Sequence, residues 1–398
     1  MKPAGRKVRA FKGCFLVLFI GFVCLSYFEL PSSAYAPLAS AVSGFGNSVT
    51  AGLIATTSKA TQATSSGPSI IFTCPDGRIG LHIVHTRFLI GQSSATPLFI
   101  ASRLALLRTF LVPSLNAQTS QNFAFYASYD ANLGNTASQA FKNTINGLHA
   151  AHIVALEQGV PEDGNWAALN FSSIAAKLQS VDPRVKDIDL FITSRIDADD
   201  AAHFDAISST HEYACSGGAN ADTASRRDRV RVAYLQKGEL WFPSEKDQYG
   251  TAGVWKTGKG TDDLYRVLAI MQSMILSGKK FISTCSGKLN VYGMRHYQPE
   301  DLETIKIDGC KFTFSARKNV LYWNPPEGHI GSLYVRTASS WTRDKGNLQY
   351  EKRPASMKNI EKSFGISPAA LAATNLLFSG FQKEAPELVA AKGSVEIE

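Results

Sequence analysis

The sequence lacks the patterns of zinc, nucleic-acid and phosphate-loop chemistry. Its six cysteines show no CxxC or Cys/His spacing, which argues against a zinc-binding class. The net charge of +8 falls to about +3 without the five basic residues in the first twelve positions. The rest of the chain therefore lacks the excess of positive charge that is typical of nucleic-acid-binding proteins. Residues 258–261 contain a Gly-Lys-Gly-Thr run without the spacing that a P-loop requires. What remains is ordinary globular composition, 44% hydrophobic and 19% charged, in 398 residues.

Charge is absent from residues 13–28, an apolar run that directly follows the basic head of residues 1–12. An apolar run of this length behind a positive flank predicts a signal anchor over residues 13–30, with the head in the cytosol. The body would then lie in the lumen of the Golgi or another secretory compartment, as a type II membrane protein. The alternative is a cleaved signal peptide, because Ala34-Tyr35-Ala36 is a small-x-small cleavage site.

Acidic residues are absent from residues 31–69, which are rich in Ser, Thr, Ala and Gly. Such a segment cannot bury enough apolar surface to fold, so we predict a disordered stem. A second interpretation is plastid targeting, since the sequence from Ser33 to Pro37 resembles the Ala-Phe-Ala-Pro junction of bipartite plastid presequences, with Tyr35 as the aromatic residue. We expect the catalytic domain over residues 70–345 and a C-terminal helical extension and tail over residues 346–398.

Four cysteines lie in the body: Cys74, Cys215, Cys285 and Cys310. In an oxidising lumen these thiols can form two disulfides. Three pairings are possible, and the sequence leaves the choice between them open.

The body predicts an α/β fold with a Rossmann-type, mainly parallel sheet flanked by helices. Residues 81–86 and 123–129 have the apolar and β-branched content of strands, and a helix over residues 96–111, stopped by Pro113, lies between them. A strand, a crossover helix and a second strand imply parallel pairing. Residues 189–196 predict another buried strand. The carboxyl ends of these strands are expected to meet at one edge of the sheet.

Three later segments also carry structural predictions. Residues 230–235 and 240–242 predict a β-hairpin, because a short polar turn separates two strand-like runs. Residues 261–278 predict a core helix, because their apolar residues form one stripe at helical spacing. Residues 368–378 predict an amphipathic helix near the C-terminus.

An acidic turn follows the strand over residues 189–196 and contains Asp197, Asp199 and Asp200. An Asp-x-Asp turn presents carboxylate oxygens on one side of the backbone, which suits Mg²⁺ or Mn²⁺ bridging a diphosphate. We expect Asp197 and Asp199 to be metal ligands and His296 to be a third ligand. The alternative is structural, with Asp200 capping a helix that begins at Ala201.

Other side chains are predicted to reach the same edge of the sheet. Arg87, Asp130 and Arg195 each lie at a strand end, where guanidinium groups can hold phosphate and a carboxylate can accept from a base or ribose. We therefore expect these three residues and Asp197 to bind a nucleotide-sugar. Asp301 is a candidate general base, although it also fits the first turn of a helix. The tryptophans can stack on a sugar ring or belong to the core: Trp241, Trp255 and Trp323.

Three sequence blocks carry a family resemblance. They are Thr86-Arg87-Phe88, the Pro-Ser-Leu-x-x-Gln-Thr block over residues 113–119, and the Arg-x-Asp-x-Asp-Asp block over residues 195–200. Together they resemble the rhamnosyltransferase family of glycosyltransferase-like proteins, over roughly residues 81–336. The resemblance implies a GT-A type nucleotide-sugar domain. Leu89 departs from the family pattern, which usually has Asn after Thr-Arg-Phe.

The combined prediction is a metal-dependent glycosyltransferase that moves rhamnose or another hexose from a nucleotide-sugar donor to a glycan or glycoconjugate. If the reaction inverts the anomeric centre, a carboxylate such as Asp200 or Asp301 must act as base. Two alternatives remain from the sequence. One is a lumenal glycan-binding protein without activity on the same fold, and the other is a metal-dependent phosphohydrolase that uses the same acidic turn.

Overall fold

The computed structural model describes residues 68–90, 97–158, 171–217, 229–255, 270–293, 301–337 and 350–384. The predicted cytosolic head, the predicted anchor and all but the last two residues of the predicted stem lie outside these ranges. Within the described ranges, no helix is both long and apolar enough to cross a membrane.

Strands and helices alternate through much of the described chain. The strands are β1 (Ile71–Thr73), β2 (Ile79–Phe88), β3 (Ala124–Asp130), β4 (His152–Gln158), β5 (Leu190–Arg195), β6 (Ala201–Ala202), β7 (Val230–Leu235), β8 (Gly238–Phe242), β9 (Thr251–Trp255), β10 (Gln272–Ser277), β11 (Val320–Trp323), β12 (Ser332–Val335) and β13 (Tyr350–Pro354). The α-helices are α1 (Pro97–Leu106), α2 (Val112–Asn116), α3 (Asn135–Ile145), α4 (Phe171–Leu178), α5 (Ala206–Ser216), α6 (Lys279–Cys285), α7 (Asp301–Thr304), α8 (Ala316–Asn319), α9 (Met357–Phe364) and α10 (Pro368–Glu384).

The larger sheet has the strand order β11-β7-β10-β5-β2-β3-β4, and β1 pairs with β2 beside this path. Strands β5, β2, β3 and β4 pair in parallel, β11 is parallel to β7, and β10 runs antiparallel to both of its neighbours. Six strands therefore point the same way, and their carboxyl ends form one edge. The prediction of a mixed, mainly parallel α/β sheet is confirmed, and the arrangement is compatible with the GT-A type that the resemblance implies.

The predicted strands β2, β3 and β5 form where their apolar and β-branched residues can be covered on both faces. All residues of β3 and β5 are buried, and so are most of β2. Parallel strands with helices on both faces require this two-sided burial, which explains the near-continuous apolar runs.

The smaller sheet has the strand order β13-β9-β8-β12-β6. The prediction that β7 and β8 form a hairpin is wrong. Both edges of β7 are already occupied by β10 and β11, so the chain turns at Lys237, whose φ is 55°, and β8 pairs instead with β9 and β12. Strand β13, from the predicted C-terminal extension, pairs with β9.

The predicted core helix over residues 261–278 is also wrong where the chain is described. Residues Gln272–Ser277 form β10, between β5 and β7, and all six are buried. A central strand covered on both faces does not alternate, so a short apolar run cannot be distinguished from a buried helix by its period. Residues 261–269 lie outside the described ranges.

Pro113 does not end the helix that follows β2, contrary to the prediction. Helix α1 continues into a π-helix, Leu107–Leu111, and then into α2, where Pro113 occupies the first turn. Proline is tolerated in a first turn because no backbone donor is required there. The predicted helix near the C-terminus is confirmed as part of α10.

Two disulfides join the four cysteines of the body. Cys74 pairs with Cys215, with Cα atoms 5.4 Å apart, and Cys285 pairs with Cys310, with Cα atoms 5.7 Å apart. The structure thereby selects one of the three pairings that the sequence allowed. The first bond joins the loop after β1 to the C-terminal turn of α5, and the second joins the end of α6 to the chain before α8.

Candidate functional site

The acidic turn lies between the two sheets. It follows Arg195, the last residue of β5, and leads directly into β6, which pairs with β12 in the smaller sheet. Within the turn, the Asp200 amide donates to the Asp197 carbonyl at 3.1 Å. The carboxylates therefore stand at the carboxyl edge of the larger sheet, where parallel α/β folds place their ligands.

Asp200 points into the protein. It is 2% exposed, and its Oδ1 accepts a hydrogen bond from the Val335 amide at 3.1 Å. Burial raises its pKa well above the usual range, and the neighbouring carboxylates of Asp199 and Asp197 raise it further. The alternative interpretation of Asp200 as a helix cap is wrong, because β6 follows it and α5 begins at Ala206.

Asp199 and Asp197 have different surroundings. Asp199 Oδ2 lies 2.8 Å from Arg103 Nη1 on α1, and both side chains are largely buried. The Asp197 side chain is 47% exposed, and its Oδ1 lies 3.9 Å from Arg87 Nη2, beyond hydrogen-bond distance. Asp197 thus offers the more open carboxylate of the turn.

Two guanidinium groups pack on the ring of Tyr292. The Cζ atoms of Arg87 and Arg195 lie 5.5 and 5.7 Å from its centre, within the range of a cation–π contact. Burial raises the pKa of Tyr292 to about 12, although both arginines oppose the shift. The phenol therefore stays neutral, and two positive charges converge without a phenolate between them.

The Tyr292 hydroxyl is fixed by a buried chain of hydrogen bonds. It lies 2.5 Å from His85 Nδ1, His85 Nε2 lies 2.8 Å from Ser128 Oγ, and the Ser128 hydroxyl donates to Gln158 Oε1 at 2.7 Å. Because the Ser128 proton is directed at Gln158, His85 donates from Nε2 and accepts from Tyr292 at Nδ1. Burial and the Arg87 charge lower the pKa of His85 to about 3, which agrees with this neutral form.

Arg195 is a buried cation with spare hydrogen-bonding capacity. It is 7% exposed, its Nη2 donates to Gln272 Oε1, and Gln272 in turn donates to the Tyr234 hydroxyl at 2.9 Å. Its Nε has no hydrogen-bond partner in the described part of the chain. Burial lowers the pKa of Arg195, and Tyr292 and Asp197 partly offset that effect. An anion at this edge would offset the buried charge.

The structure brings the predicted strand ends together at one edge. Arg87, Arg195 and Asp197 are joined by direct contacts or by Tyr292. Asp130 ends β3, the neighbour of β2, and its buried Oδ1 accepts from the Asn132 amide at 2.8 Å in the turn after its own strand.

Of four other predicted positions, one lies outside the described residues, two have no described side chain, and one belongs to the core. His296 lies outside the described residues, Asp301 begins α7 but its side chain is not described, and the Trp255 side chain is likewise not described. Trp241 is fully buried and donates to the Tyr249 carbonyl, which favours the core interpretation.

Sequence reasoning missed three residues of this site: Tyr292, Gln272 and Arg103. Tyr292 lies on a 3₁₀ turn, Val291–Gly293, far in sequence from the strands it joins. Gln272 lies in the segment that was predicted to be a helix. Arg103 lies in the helix that was predicted over residues 96–111, and its position there gave no signal of a partner in the acidic turn.

The fit of the acidic turn to a divalent cation can be judged from its donor set. Within the described residues, no group of three His, Cys, Asp or Glu side chains converges as a metal site. Asp197 and Asp199 nevertheless supply two carboxylates two positions apart, and Mg²⁺ commonly takes one or two carboxylates with water and substrate phosphates. The number and type of these ligands match a cation whose other ligands come from a diphosphate, and Asp199 is at the same time paired with Arg103.

A separate cleft of about 530 Å³ lies at the opposite end of the strands. It is lined by Phe72, Ser120 and His211 among others, beside the Cys74–Cys215 disulfide. It does not include any residue of the acidic turn.

Comparisons with known proteins match no family and find solved structures of low similarity. No protein-family model matches the sequence, and no curated protein matches it. Among solved structures, the chain is similar to TarS of S. aureus, with 9% identity, a TM-score of 0.28 and coverage of 65% of this chain and 37% of that one. It is also similar to mouse xyloside xylosyltransferase 1, with 12% identity, a TM-score of 0.22 and coverage of 39% and 52%. The matches span less than two thirds of either structure. A sugar transferase is thus among the similar structures, but scores this low carry no argument about activity.

Proposed function

We propose that the protein is a glycosyltransferase that moves a sugar, rhamnose or another hexose, from a nucleotide-sugar donor to a hydroxyl of a glycan or glycoconjugate. The observation that carries this proposal is the pair of guanidinium groups on Tyr292, beside the acidic turn at the carboxyl edge of the sheet. Positive charge supports diphosphate binding, and the edge is where α/β sheets bind nucleotides.

In this proposal, Arg87 and Arg195 bind the donor diphosphate and stabilise the charge that develops on it as the sugar leaves. Arg195 is held by Gln272, and Arg87 approaches Asp197. Both guanidinium groups are thus oriented before substrate arrives, which avoids reorganisation during the reaction. Asp130 accepts from the base or ribose, as expected from its position at the end of β3.

The proposed cofactor is Mn²⁺ or Mg²⁺, held by Asp197 and Asp199, with His296 as the proposed third ligand. Such an ion supplies Lewis-acid stabilisation of the diphosphate. Arg103 orients Asp199 through their 2.8 Å ion pair. This pair also supports a second candidate function, a glycan-binding protein without activity, because it already neutralises the carboxylate proposed as the first ligand.

The general base of an inverting reaction is better assigned to Asp301 than to Asp200. Asp200 is 2% exposed and its Oδ1 is engaged by the Val335 amide, so it is not placed to accept a proton from a substrate hydroxyl. We assign Asp200 the role of positioning the turn. In a retaining reaction the requirement for a base disappears.

We further propose a lumenal location in the secretory pathway, behind the predicted anchor. The two disulfides support an oxidising compartment. Plastid targeting remains the alternative, and a mature N-terminus at Pro37 would favour cleavage over an anchor.

Calorimetric titration of the full-length protein with UDP, GDP and dTDP, with and without Mn²⁺, tests the proposed function. At least one nucleoside diphosphate should bind, more tightly with Mn²⁺, and Arg87→Ala should weaken binding by roughly 1.5–3 kcal/mol. The matched control is Arg184→Ala, which removes an exposed arginine that pairs with Asp182. Equal affinity in wild type and Arg87→Ala would refute the diphosphate site.

A donor screen then separates transfer from its alternatives. Transfer to an acceptor glycan that is lost in Asp199→Asn supports the metal-dependent enzyme. Release of phosphate or nucleotide at the same rate with and without acceptor indicates the phosphohydrolase. If the protein binds UDP-glucose, GDP-mannose or dTDP-rhamnose but turns over none of these nucleotide-sugars, the result indicates the glycan-binding alternative.

A further inference from the structure

Four rings form a cluster at the end of β11 that the proposed donor site does not use. His203 is fully buried at its centre, with its ring centre 4.2 Å from Phe204, 5.0 Å from Trp323 and 5.1 Å from His329. Trp323 and His329 are partly exposed. The indole of Trp323 and the imidazole of His329 are therefore partly open to solvent, and both pack against the buried ring of His203.

Hydrogen bonds fix which atom of His329 faces outward. The Asp205 amide donates to His203 Nδ1 at 3.1 Å, so His203 carries its proton on Nε2, which lies 2.9 Å from His329 Nδ1. Burial lowers the pKa of His203 to about 4, so it stays neutral at physiological pH. His203 therefore donates to His329 Nδ1, and His329 presents its Nε2–H as a hydrogen-bond donor.

His329 is neutral and has one group of each charge nearby. Burial lowers the pKa of His329, Lys362 lowers it further, and Asp205 partly opposes both effects. Because Lys362 and Asp205 carry opposite charges, together they do not favour a charged ligand of either sign at His329. A neutral ligand with hydroxyl groups fits an N–H donor beside an aromatic face.

The cluster is close to the acidic turn but separate from it. The two-residue ladder of β6 and β12 has Asp200 bonded to Val335 at one end and the His203 amide bonded to the Gly331 carbonyl at the other. Three residues of extended chain, from Asp200 to His203, span about 10 Å. Trp323 ends β11, whose carboxyl end lies on the same edge as that of β5. This spacing places the cluster about 10 Å along the chain from the acidic turn, at the same edge of the sheet.

We propose that Trp323 and His329 form the acceptor subsite, binding a neutral pyranose by stacking on the indole and by donation from His329 Nε2–H to a ring hydroxyl. That the bound sugar is an acceptor rests on the proposed function. Binding of a neutral sugar can be measured without any donor. His203 is a positioning residue in this scheme, because it fixes the His329 tautomer.

Saturation-transfer NMR on the full-length protein with the methyl pyranosides of glucose, galactose, mannose and rhamnose tests the subsite. At least one should receive saturation on its ring protons. Trp323→Ala should weaken its binding about three- to tenfold, as expected for loss of an aromatic contact. Trp323→Phe should retain more binding than Trp323→Ala because a ring remains.

The donor contributed by His329 has its own matched pair of variants. His329→Leu should weaken pyranoside binding about fivefold, the scale of a neutral hydrogen bond, whereas His329→Gln keeps an N–H and should restore most of it. Equal losses in His329→Leu and His329→Gln would overturn the donor assignment. Should Trp323→Ala fail to fold, the Trp323→Phe and His329 variants still decide the outcome.

Titration of the same variants with UDP, GDP and dTDP separates this inference from the proposed function. Unchanged nucleoside diphosphate binding in Trp323→Ala supports separate sites. Pyranoside binding without any nucleoside diphosphate binding would sink the transferase proposal and keep a sugar site. Nucleoside diphosphate binding with no saturation of any pyranoside, or with saturation unchanged by Trp323→Ala, would overturn the subsite alone.

Discussion

The arginines at the two edges of the larger sheet have different hydrogen-bond partners. At the amino edge, Arg231 donates to the carbonyls of Tyr213 and Ala214, and Arg78 donates to that of Cys215, each at 2.6 Å. These are the last carbonyls of α5, which have no partner within the helix. Arg231 also packs over the ring of Tyr213, with its Cζ 5.0 Å from the ring centre. At the carboxyl edge, Arg87 and Arg195 pack together on the ring of Tyr292, and Arg195 donates to the Gln272 side chain rather than to a helix carbonyl.

The difference separates a structural arginine from one suited to ligand binding. A guanidinium that caps helix carbonyls lies at the negative end of the helix dipole, where the fold itself offsets part of its charge. Arg87 and Arg195 instead bring two positive charges to one ring, and a second cation does not offset the charge of the first. We therefore expect changes at the amino edge to alter stability and changes at the carboxyl edge to alter ligand binding.

The largest effect on stability is expected from Arg231→Met. It removes two charge-assisted hydrogen bonds and leaves helix carbonyls buried, which should lower the free energy of unfolding by about 3 kcal/mol. Urea unfolding measures this change, with Arg229→Met as the control, because Arg229 donates to a carbonyl from an exposed position. A midpoint equal to that of the wild type would remove the contrast between the edges.

Arg195→Met should show the converse pattern. Loss of a phosphate-binding guanidinium should weaken nucleoside diphosphate binding by about 2 kcal/mol, or about thirtyfold. Calorimetry gives the affinity, and Arg231→Met serves as the matched variant that should bind normally. If Arg231→Met weakens binding as much as Arg195→Met does, the two edges are not functionally distinct.

The buried histidines predict a loss of stability in acid. Burial lowers the pKa of His211 at the amino edge and of His85 at the carboxyl edge to about 3. The unfolded chain, with a pKa near 6.5, therefore binds more protons, so stability is full above pH 6.5 and falls towards pH 3. Each histidine contributes a slope of up to about 1.4 kcal/mol per pH unit.

His211→Gln tests that slope by removing one titrating group while keeping a partner for His82, which lies 3.0 Å from His211. Urea midpoints at pH 7.5, 6 and 5 should fall less steeply in the variant than in the wild type. Parallel pH profiles for the two proteins would mean that His211 has the same pKa in the folded protein as in the unfolded chain, which would contradict the lowered pKa.

The smallest effect is expected from Arg184→Ala. Its side chain is 56% exposed and pairs with Asp182 at the start of the 3₁₀ turn that precedes β5. Exposed pairs of this kind contribute about 0.5 kcal/mol or less, so stability should hardly change. A larger loss would mean that the difference between the edges reflects a general dependence on arginine.

The sequence was sufficient to predict the edge but not the contacts across it. Strands β2, β3 and β5 carry strong β-branched patterns, and the crossover rule then brings Arg87, Asp130 and Arg195 to one edge. Strand β10 was missed because burial on both faces removes its alternation. Tyr292, which joins the two arginines, follows that strand, so no local pattern linked it to either of them.

The acidic turn shows a second limit. Its position after a strand was predictable, whereas the different environments of its carboxylates were not. Asp200 is buried by β12, which begins more than a hundred residues later, and Asp199 is paired with a helix almost a hundred residues earlier. Such separations are set by tertiary packing, which neither spacing nor residue type records.

The π-helix before α2 determines the phase of the helix that carries Arg103. Each residue of an α-helix turns the chain by about 100°, so removing one residue from Leu107–Leu111 would restore regular pitch and rotate everything upstream by that angle. Arg103 would then leave the face from which it contacts Asp199. One extra residue in a helix about five residues away thereby sets the charge environment of the acidic turn.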